Sequence, residues 1–128
     1  MSWSVCLRLG RVSNLPTVWT NVLAGVALAG VSVGPGPLAL LALALSLFYI
    51  GGMYLNDAFD REIDARERPE RPIPAGLVKA TTVFAAGYGL LAAGLAALAA
   101  EAAWAGQRGY ASTILSGLIL AALIVFYD

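Results

Sequence analysis

The chain contains no histidine, a single cysteine and few charged side chains, and each scarcity excludes a class of chemistry. Without histidine, the sequence cannot supply imidazole for acid–base catalysis or for metal ligation. Cys6 cannot form a disulfide bond within the chain, and it stands at no metal-ligand spacing. Acidic and basic residues balance to a formal net charge of +0, so we expect no general attraction to nucleic acid.

Hydrophobic residues dominate the composition. They make up 59% of the 128 residues, whereas charged residues contribute 12%, about half the share in a typical soluble domain. A helix needs about 20 largely apolar residues to cross a bilayer, and four stretches approach this requirement: residues 15–33, 38–55, 80–100 and 110–127. We therefore predict an all-α fold, a multi-pass transmembrane helix bundle that residues 1–128 form as a single domain with four spans.

Small residues recur at every fourth position of the third predicted span. They are Ala85, Gly89, Ala93 and Ala97. Because such a row lets two helix backbones approach closely, we predict that this face packs against another helix rather than forming a binding site.

The basic residues predict the orientation in the membrane. A polar segment, residues 56–79, separates the second and third spans and holds most of the ionisable groups. If the N-terminus is cytoplasmic, seven basic residues lie inside: Arg8, Arg11, Arg61, Arg66, Arg68, Arg71 and Lys79. Only Arg108 then lies outside. The positive-inside rule therefore predicts that both termini and the polar segment are cytoplasmic.

An acidic segment directly follows the second predicted span. It reads Asn56-Asp57-Ala58-Phe59-Asp60-Arg61-Glu62-Ile63-Asp64. If the helix continues past the membrane surface, at about 100° per residue, four oxygen-bearing side chains share one face: Asn56, Asp57, Asp60 and Asp64. Glu62 points in another direction.

Two interpretations of this acidic face are open. Carboxylates about 6 Å apart repel one another by roughly 3 kcal/mol per pair at an effective dielectric constant near 20, so a cation must offset the repulsion. Mg²⁺ prefers oxygen ligands and commonly combines one or two carboxylates with substrate phosphate oxygens. The face is therefore either a Mg²⁺–diphosphate platform or part of a solvated loop whose arginines neutralise the acids.

Arginines and prolines alternate after the acids, in the run Arg66-Glu67-Arg68-Pro69-Glu70-Arg71-Pro72-Ile73-Pro74-Ala75-Gly76. The prolines stop the helix and stiffen the loop. The guanidinium groups of Arg68 and Arg71 suit phosphate oxygens. The alternative is that these arginines serve only to fix the orientation of the chain in the membrane.

Two asparagines accompany the first predicted span. Asn14 and Asn21 are seven residues apart and therefore share a helix face. A polar amide in a membrane segment normally faces the protein interior, so these side chains either line a polar cavity or form hydrogen bonds between helices.

These residues together resemble the UbiA superfamily of intramembrane prenyltransferases. The run Asn56-Asp57-x-x-Asp60-x-x-x-Asp64 matches every position of the family's first acidic motif, N-D-x-x-D-x-x-x-D, which ends its second helix. The run Arg-Pro-Ile-Pro-Ala-Gly at 71–76 is similar to the R-P-hydrophobic-P-small-G segment of the family. The run Arg-x-x-Asn-Leu-Pro-Thr-x-Trp-x-Asn-x-x-x-Gly at 11–25 looks like the family's first helix.

The resemblance implies both a fold and a reaction. The fold is a bundle of roughly nine transmembrane helices around a central cavity, of which this chain resembles the N-terminal half. The reaction is Mg²⁺-dependent transfer of a prenyl group from a prenyl diphosphate to an aromatic or other lipophilic acceptor. The implied metal ligands are Asn56, Asp57, Asp60 and Asp64, with Asp57, Asp60 and Asp64 as the catalytic acids. The implied substrate-binding residues are Arg11, Asn14, Asn21, Arg68 and Arg71.

Other functions compete with this expectation. UbiA enzymes carry a second acidic motif in their C-terminal half, and this sequence contains no second cluster of aspartates. A non-catalytic membrane scaffold or assembly subunit that keeps only the first half is therefore the alternative. CDP-alcohol phosphotransferases also place acids beside a membrane, but their motif contains D-G and A-R steps that residues 56–64 lack.

Overall fold

The computed structural model describes residues 1–104 and 110–127, and within these ranges the chain is helical without any strand. This confirms the predicted all-α class. The helices are α1 Trp3–Leu9, α2 Leu15–Ala29, α3 Pro35–Phe59, α4 Arg61–Glu67, α5 Ala80–Trp104 and α6 Tyr110–Tyr127, with a 3₁₀ helix at Val12–Asn14. Arg108, the basic residue predicted on the outer side, lies outside the described residues.

Three helices in the described part of the chain, not four, are long and apolar enough to cross a membrane: α3, α5 and α6. The prediction of a first span at 15–33 is wrong, because α2 contains only 15 residues. Its length of about 22 Å falls short of the roughly 30 Å hydrocarbon core. The helix ends where Gly30 takes a left-handed conformation, with φ 65°, which glycine adopts without steric penalty. The three long helices identify an integral membrane protein.

The packing of α3 against α5 forms the centre of the fold. A Cβ atom on Gly87 of α5 would lie 2.8 Å from the Leu55 side chain of α3. A Cβ atom on Gly51 of α3 would lie 3.0 Å from the carbonyl oxygen of Gly87. The two helices therefore approach so closely that a side chain at either glycine position would force its neighbours to shift.

Of the predicted packing row on α5, Ala97 packs against the described core and the other three residues do not. Ala85, Gly89 and Ala93 are exposed, and a Cβ atom on Gly89 would have no neighbour within 4 Å among the described residues. The face that contacts α3 includes Gly87 and Gly94. Both rows are rich in small residues, so α5 alone does not reveal which one meets the bulky side chains of α3.

The N-terminal segment is fixed against the C-terminal end of α3. Val5 and Leu9 of α1 are buried in a cluster with Tyr54 of α3. The Tyr54 hydroxyl donates a hydrogen bond to the carbonyl oxygen of Cys6 at 3.2 Å. The Arg8 guanidinium donates to the carbonyl oxygen of Glu70 at 3.1 Å. These contacts hold the start of the chain beside the acidic segment.

The acidic segment is helical on both sides of Asp60, which joins α3 to α4. The amide of Asp60 donates to the carbonyl oxygen of Asn56 at 2.9 Å, and the amide of Asp64 donates to that of Asp60 at 2.8 Å. The i→i−4 pattern therefore continues across the junction between α3 and α4. Helix α4 ends at Glu67, before Pro69, and turns lead from there to α5.

Candidate functional site

Two acids and two arginines form a cluster at the junction of α3 and α4. The Nη1 atom of Arg71 donates to Asp57 Oδ1 at 3.0 Å and to Asp64 Oδ2 at 2.7 Å. The Nη2 atom of Arg11 donates to the same oxygen of Asp57 at 3.3 Å. The residues come from three separate parts of the chain, which the folding of α1 and of the turns after α4 brings together.

The acids of this cluster are buried, and the arginines are less so. The Asp57 and Asp64 side chains are 8% and 5% exposed, compared with 19% for Arg71 and 37% for Arg11. Removing one partner from such a buried ion pair typically costs about 3–5 kcal/mol, because an uncompensated charge remains. The two positive charges therefore make the burial of the two carboxylates possible.

Arg11 reaches the cluster through an unusual backbone conformation. It lies between α1 and the 3₁₀ helix with φ 43° and ψ 46°, the left-handed region that side chains other than glycine rarely adopt. Strain of this kind persists only where surrounding contacts impose it, and it is frequent at functional sites. The ion pair with Asp57 and the packing of α1 supply such contacts.

The remaining acids of the segment have other partners. Asn56 donates through Nδ2 to Asp60 Oδ2 at 3.1 Å, and both side chains are half-buried. Glu62 is exposed and pairs with Arg61 at 3.4 Å, away from the cluster, as the helical-face argument predicts. The predicted set of four ligands is thus divided into two pairs, Asp57 with Asp64 and Asn56 with Asp60.

A cavity of about 810 Å³ adjoins this polar end of the bundle. Arg11 and Asn56 both line it. Arg11 also binds Asp57 of the cluster, and Asn56 binds Asp60 beside the cluster, so the acidic segment meets the cavity at these two residues. The rest of the wall is largely apolar, and its members come from α2, α3 and α6. They include Val18, Leu45, Phe48, Met53, Leu120 and Leu123. An arginine and an amide at one end of an apolar cavity suit a ligand with an anionic head and a hydrocarbon tail.

Residues 17–128 match the family model of the UbiA prenyltransferase family. The chain belongs to this family. The match covers α3 to α6 and most of α2, which confirms the family predicted from the short motifs.

Three similar proteins illustrate the range of UbiA relatives. Digeranylgeranylglyceryl phosphate synthase of Metallosphaera sedula is 31% identical over 122 residues, which cover 94% of this chain and 40% of that protein. The enzyme of the same name from Ignicoccus hospitalis is 42% identical over 89 residues, or 69% of this chain and 28% of the relative. Chloroplastic chlorophyll synthase of Oryza sativa subsp. japonica is 32% identical over 110 residues, or 82% and 29%. No solved structure matches the chain.

The chain therefore spans 40% of the length of the M. sedula relative and less of the other two. Within that part, the five residues predicted to bind substrate do not all lie at one site. Arg11 and Asn21 line the cavity, Arg71 lies in the acid cluster, and Asn14 donates to the Tyr49 hydroxyl at 3.2 Å. Arg68 is exposed and forms no ion pair with any described residue.

The sequence analysis did not predict that residues of α3 line the cavity. Leu45, Tyr49, Gly52 and Met53 line the cavity together with Asn56. Positions 45, 49, 52 and 56 follow spacings of four, three and four, which is the periodicity of one helix face. The cavity-lining residues of α3 could therefore have been predicted by extending the face of Asn56 back toward the start of the same helix.

The donor chemistry of the acidic segment fits Mg²⁺, the ion that the UbiA resemblance implies. Asp57 and Asp64 each direct one oxygen at a single point, but Arg71 Nη1 lies there. Within residues 1–104 and 110–127, no group of three or more His, Cys, Asp or Glu side chains is placed to hold a metal ion. Because Mg²⁺ commonly uses one or two protein carboxylates and completes its shell with phosphate oxygens, a pair of acids is a sufficient protein contribution.

Proposed function

We propose that this chain forms the prenyl diphosphate-binding part of a membrane prenyltransferase, which transfers the prenyl group to a lipophilic acceptor. The observation that supports this most directly is that the acidic segment meets the apolar cavity at Arg11, which binds Asp57, and at Asn56, which binds Asp60. A prenyl diphosphate has the same division, with a doubly phosphorylated head and a hydrocarbon tail. Membership of the UbiA prenyltransferase family supports the same assignment.

The arginines at the polar end have the chemistry to bind the diphosphate. Guanidinium groups form paired, charge-assisted hydrogen bonds to phosphate oxygens. Arg11 lines the cavity, and Arg71 binds the same Asp57 oxygen as Arg11. Arg68 is an exposed cation three residues before Arg71. Positive charge at this position stabilises the negative charge that develops on the diphosphate as the C–O bond breaks.

The apolar wall has a separate role in this proposal. Cleavage of an allylic diphosphate leaves a carbocation, which bulk water would quench. Phe48, Leu120 and Leu123 contribute a wall that excludes water from the tail and from the reacting carbon. The acceptor then reacts in place of water.

Mg²⁺ completes the proposed site. Asn56, Asp57, Asp60 and Asp64 would hold it, and when bound it supplies positive charge against the departing diphosphate. UbiA prenyltransferases generally depend on a divalent metal.

We place the acid cluster and both chain termini on the cytoplasmic side. Arginines of the N-terminal segment and of the turns after α4 gather at the acidic end of the bundle, as the contacts of Arg8, Arg11 and Arg71 show. The excess of basic residues there supports a cytoplasmic position.

Binding of geranylgeranyl diphosphate is the test of this function. The names of the similar digeranylgeranylglyceryl phosphate synthases make this lipid the first substrate to examine. Binding is a better measure than turnover, because the chain spans 40% of the M. sedula relative. Calorimetric titration of the detergent-purified chain should detect Mg²⁺-dependent binding that Asp57→Asn weakens by at least about tenfold.

Glu62→Gln is the matched control for that titration. It also removes one carboxylate from the acidic segment, but from the exposed side. We expect wild-type affinity for this variant. Equal affinities for Asp57→Asn and Glu62→Gln, or no binding by the wild-type chain, would contradict the proposed function.

A non-catalytic scaffold is the second candidate, and one observation favours it. The buried acids Asp57 and Asp64 are already neutralised by arginines, as in a purely structural ion-pair cluster. A scaffold would keep the fold and the ion pairs without binding a prenyl diphosphate. The same titration therefore separates the two functions.

A further inference from the structure

Arg71 connects the two buried acids through a single nitrogen atom. Its Nη1 lies 3.0 Å from Asp57 Oδ1 and 2.7 Å from Asp64 Oδ2. Asp57 has a second cationic partner in Arg11, whereas Arg71 is the one ion-pair partner of Asp64 within the described ranges. The guanidinium therefore allows two like charges to face the same point.

A divalent ion shared by the Asp57 and Asp64 carboxylates would have to bind at the position that Arg71 Nη1 occupies. A metal ion and a guanidinium nitrogen both carry positive charge, and they repel strongly at a separation of about 3 Å in a partly buried site. The ion consequently cannot join Arg71 between Asp57 and Asp64. It has to replace the guanidinium.

The surroundings of Arg71 permit it to leave. The residue lies in the turns between α4 and α5, and its side chain is 19% exposed. The contacts described for its guanidinium are those with Asp57 and Asp64. A planar fork released from these acids is free to bind a phosphate group.

We propose that Arg71 is a placeholder cation, which holds Asp57 and Asp64 together in the metal-free chain and competes with the divalent ion for them. This proposal rests on the proposed function and adds a control of metal binding. The apparent affinity for the ion is reduced to the fraction of chains in which Arg71 has left the acids. A diphosphate that binds the released guanidinium raises that fraction, so ion and diphosphate bind cooperatively.

Mn²⁺ binding to the full chain in detergent, measured by electron paramagnetic resonance without any lipid substrate, tests the proposal. Arg71→Gln removes the competing charge, and Arg66→Gln removes the same charge from an exposed position of α4. Arg66→Gln therefore measures the general effect of losing one positive charge. We expect Arg71→Gln to bind Mn²⁺ at least about tenfold more tightly than Arg66→Gln. Equal or weaker binding by Arg71→Gln would overturn the proposal.

If Arg71→Gln is less stable than the wild type, thermal melting followed by circular dichroism still tests the proposal. Without metal, this variant leaves two buried acids facing each other, so we expect a lower melting temperature than for the wild type. Mn²⁺ should then raise the melting temperature of Arg71→Gln more than that of the wild-type chain. A variant that stays unfolded in saturating Mn²⁺ would show that the acids need the guanidinium itself, which contradicts a placeholder role.

Arg71→Lys separates charge from shape. It keeps the positive charge, so its Mn²⁺ affinity should stay near that of the wild-type chain. A gain as large as that of Arg71→Gln would mean that charge competition is not the cause.

The Mn²⁺ measurement is independent of the proposed function. Tighter Mn²⁺ binding by Arg71→Gln in a chain that does not bind geranylgeranyl diphosphate would reject the function and keep the placeholder role. Binding of geranylgeranyl diphosphate together with a Mn²⁺ affinity that does not depend on Arg71 would keep the proposed function and reject the placeholder role.

Discussion

The two faces of α3 differ in how they meet the rest of the molecule. Toward α5, Gly51 and Leu55 approach Gly87 so closely that one added carbon atom would force the neighbouring atoms to shift. Toward the cavity, Tyr49 and Met53 are half-buried and line a space of about 810 Å³. The two rows lie side by side on the same helix.

This difference separates the scaffold from the site. The packed face fixes the position of α3, and the acidic motif at the end of the helix is thereby held beside Arg11 and Arg71. On the cavity face, by contrast, Met53 is half-buried and borders open space. Substitutions on the packed face should therefore abolish folding and function together, whereas a substitution at Met53 on the cavity face should act mainly on ligand binding.

The largest expected effect comes from Gly87→Leu on the packed side. A Cβ atom at this position would lie 2.8 Å from Leu55, and the rest of the leucine side chain would push α5 away from α3. Overpacking of this kind costs about 3 kcal/mol or more. Unfolding of the detergent-purified chain by sodium dodecyl sulfate measures the loss.

Gly89→Leu is the control, two residues along the same helix. Its Cβ atom would meet no described atom within 4 Å, so we expect a change below about 0.5 kcal/mol in the free energy of unfolding. If both leucines destabilise the chain equally, the close contact at Gly87 is not what holds α3 and α5 together.

A smaller effect, restricted to binding, is expected from Met53→Trp on the cavity side. The larger ring would occupy space in the cavity without entering the contact between α3 and α5. We expect geranylgeranyl diphosphate to bind at least about tenfold more weakly, a loss of about 1.4 kcal/mol. The free energy of unfolding should stay within about 0.5 kcal/mol of the wild-type value. Unchanged lipid affinity would mean that the tail lies elsewhere.

The local parts of this arrangement follow from the sequence, and the long-range parts do not. Helical periodicity alone places Asp57 and Asp64 on one side and Glu62 on another, because seven residues make about two turns. The sequence does not predict that Arg71 is the partner of these acids. Arg71 reaches them only through the turns that follow Pro69, and neither spacing nor composition gives the path of those turns.

The two wrong predictions, the first span and the packing row on α5, have different origins. Hydropathy extended the first span to residue 33, although Gly30 was a visible stop signal for α2. The packing row on α5 was assigned to Gly89 rather than to Gly87, because both faces are rich in small residues. The choice between them depends on Leu55 and Phe48 of α3, which contact α5 from a distant part of the sequence.

The smallest expected effect concerns the hydroxyl group of Tyr49, where the cavity face of α3 contacts the start of α2. The hydroxyl accepts a hydrogen bond from Asn14 Nδ2 at 3.2 Å, and this contact is exposed. Tyr49→Phe keeps the ring in the cavity wall and removes the link, so the free energy of unfolding should fall by about 0.5–1 kcal/mol. A double-mutant cycle with Asn14→Ala in the same unfolding measurement should give a coupling energy of about 0.5 kcal/mol. A coupling energy of zero would show that Tyr49 contributes to the cavity through its ring alone, and the cavity face would then be independent of α2 at this point.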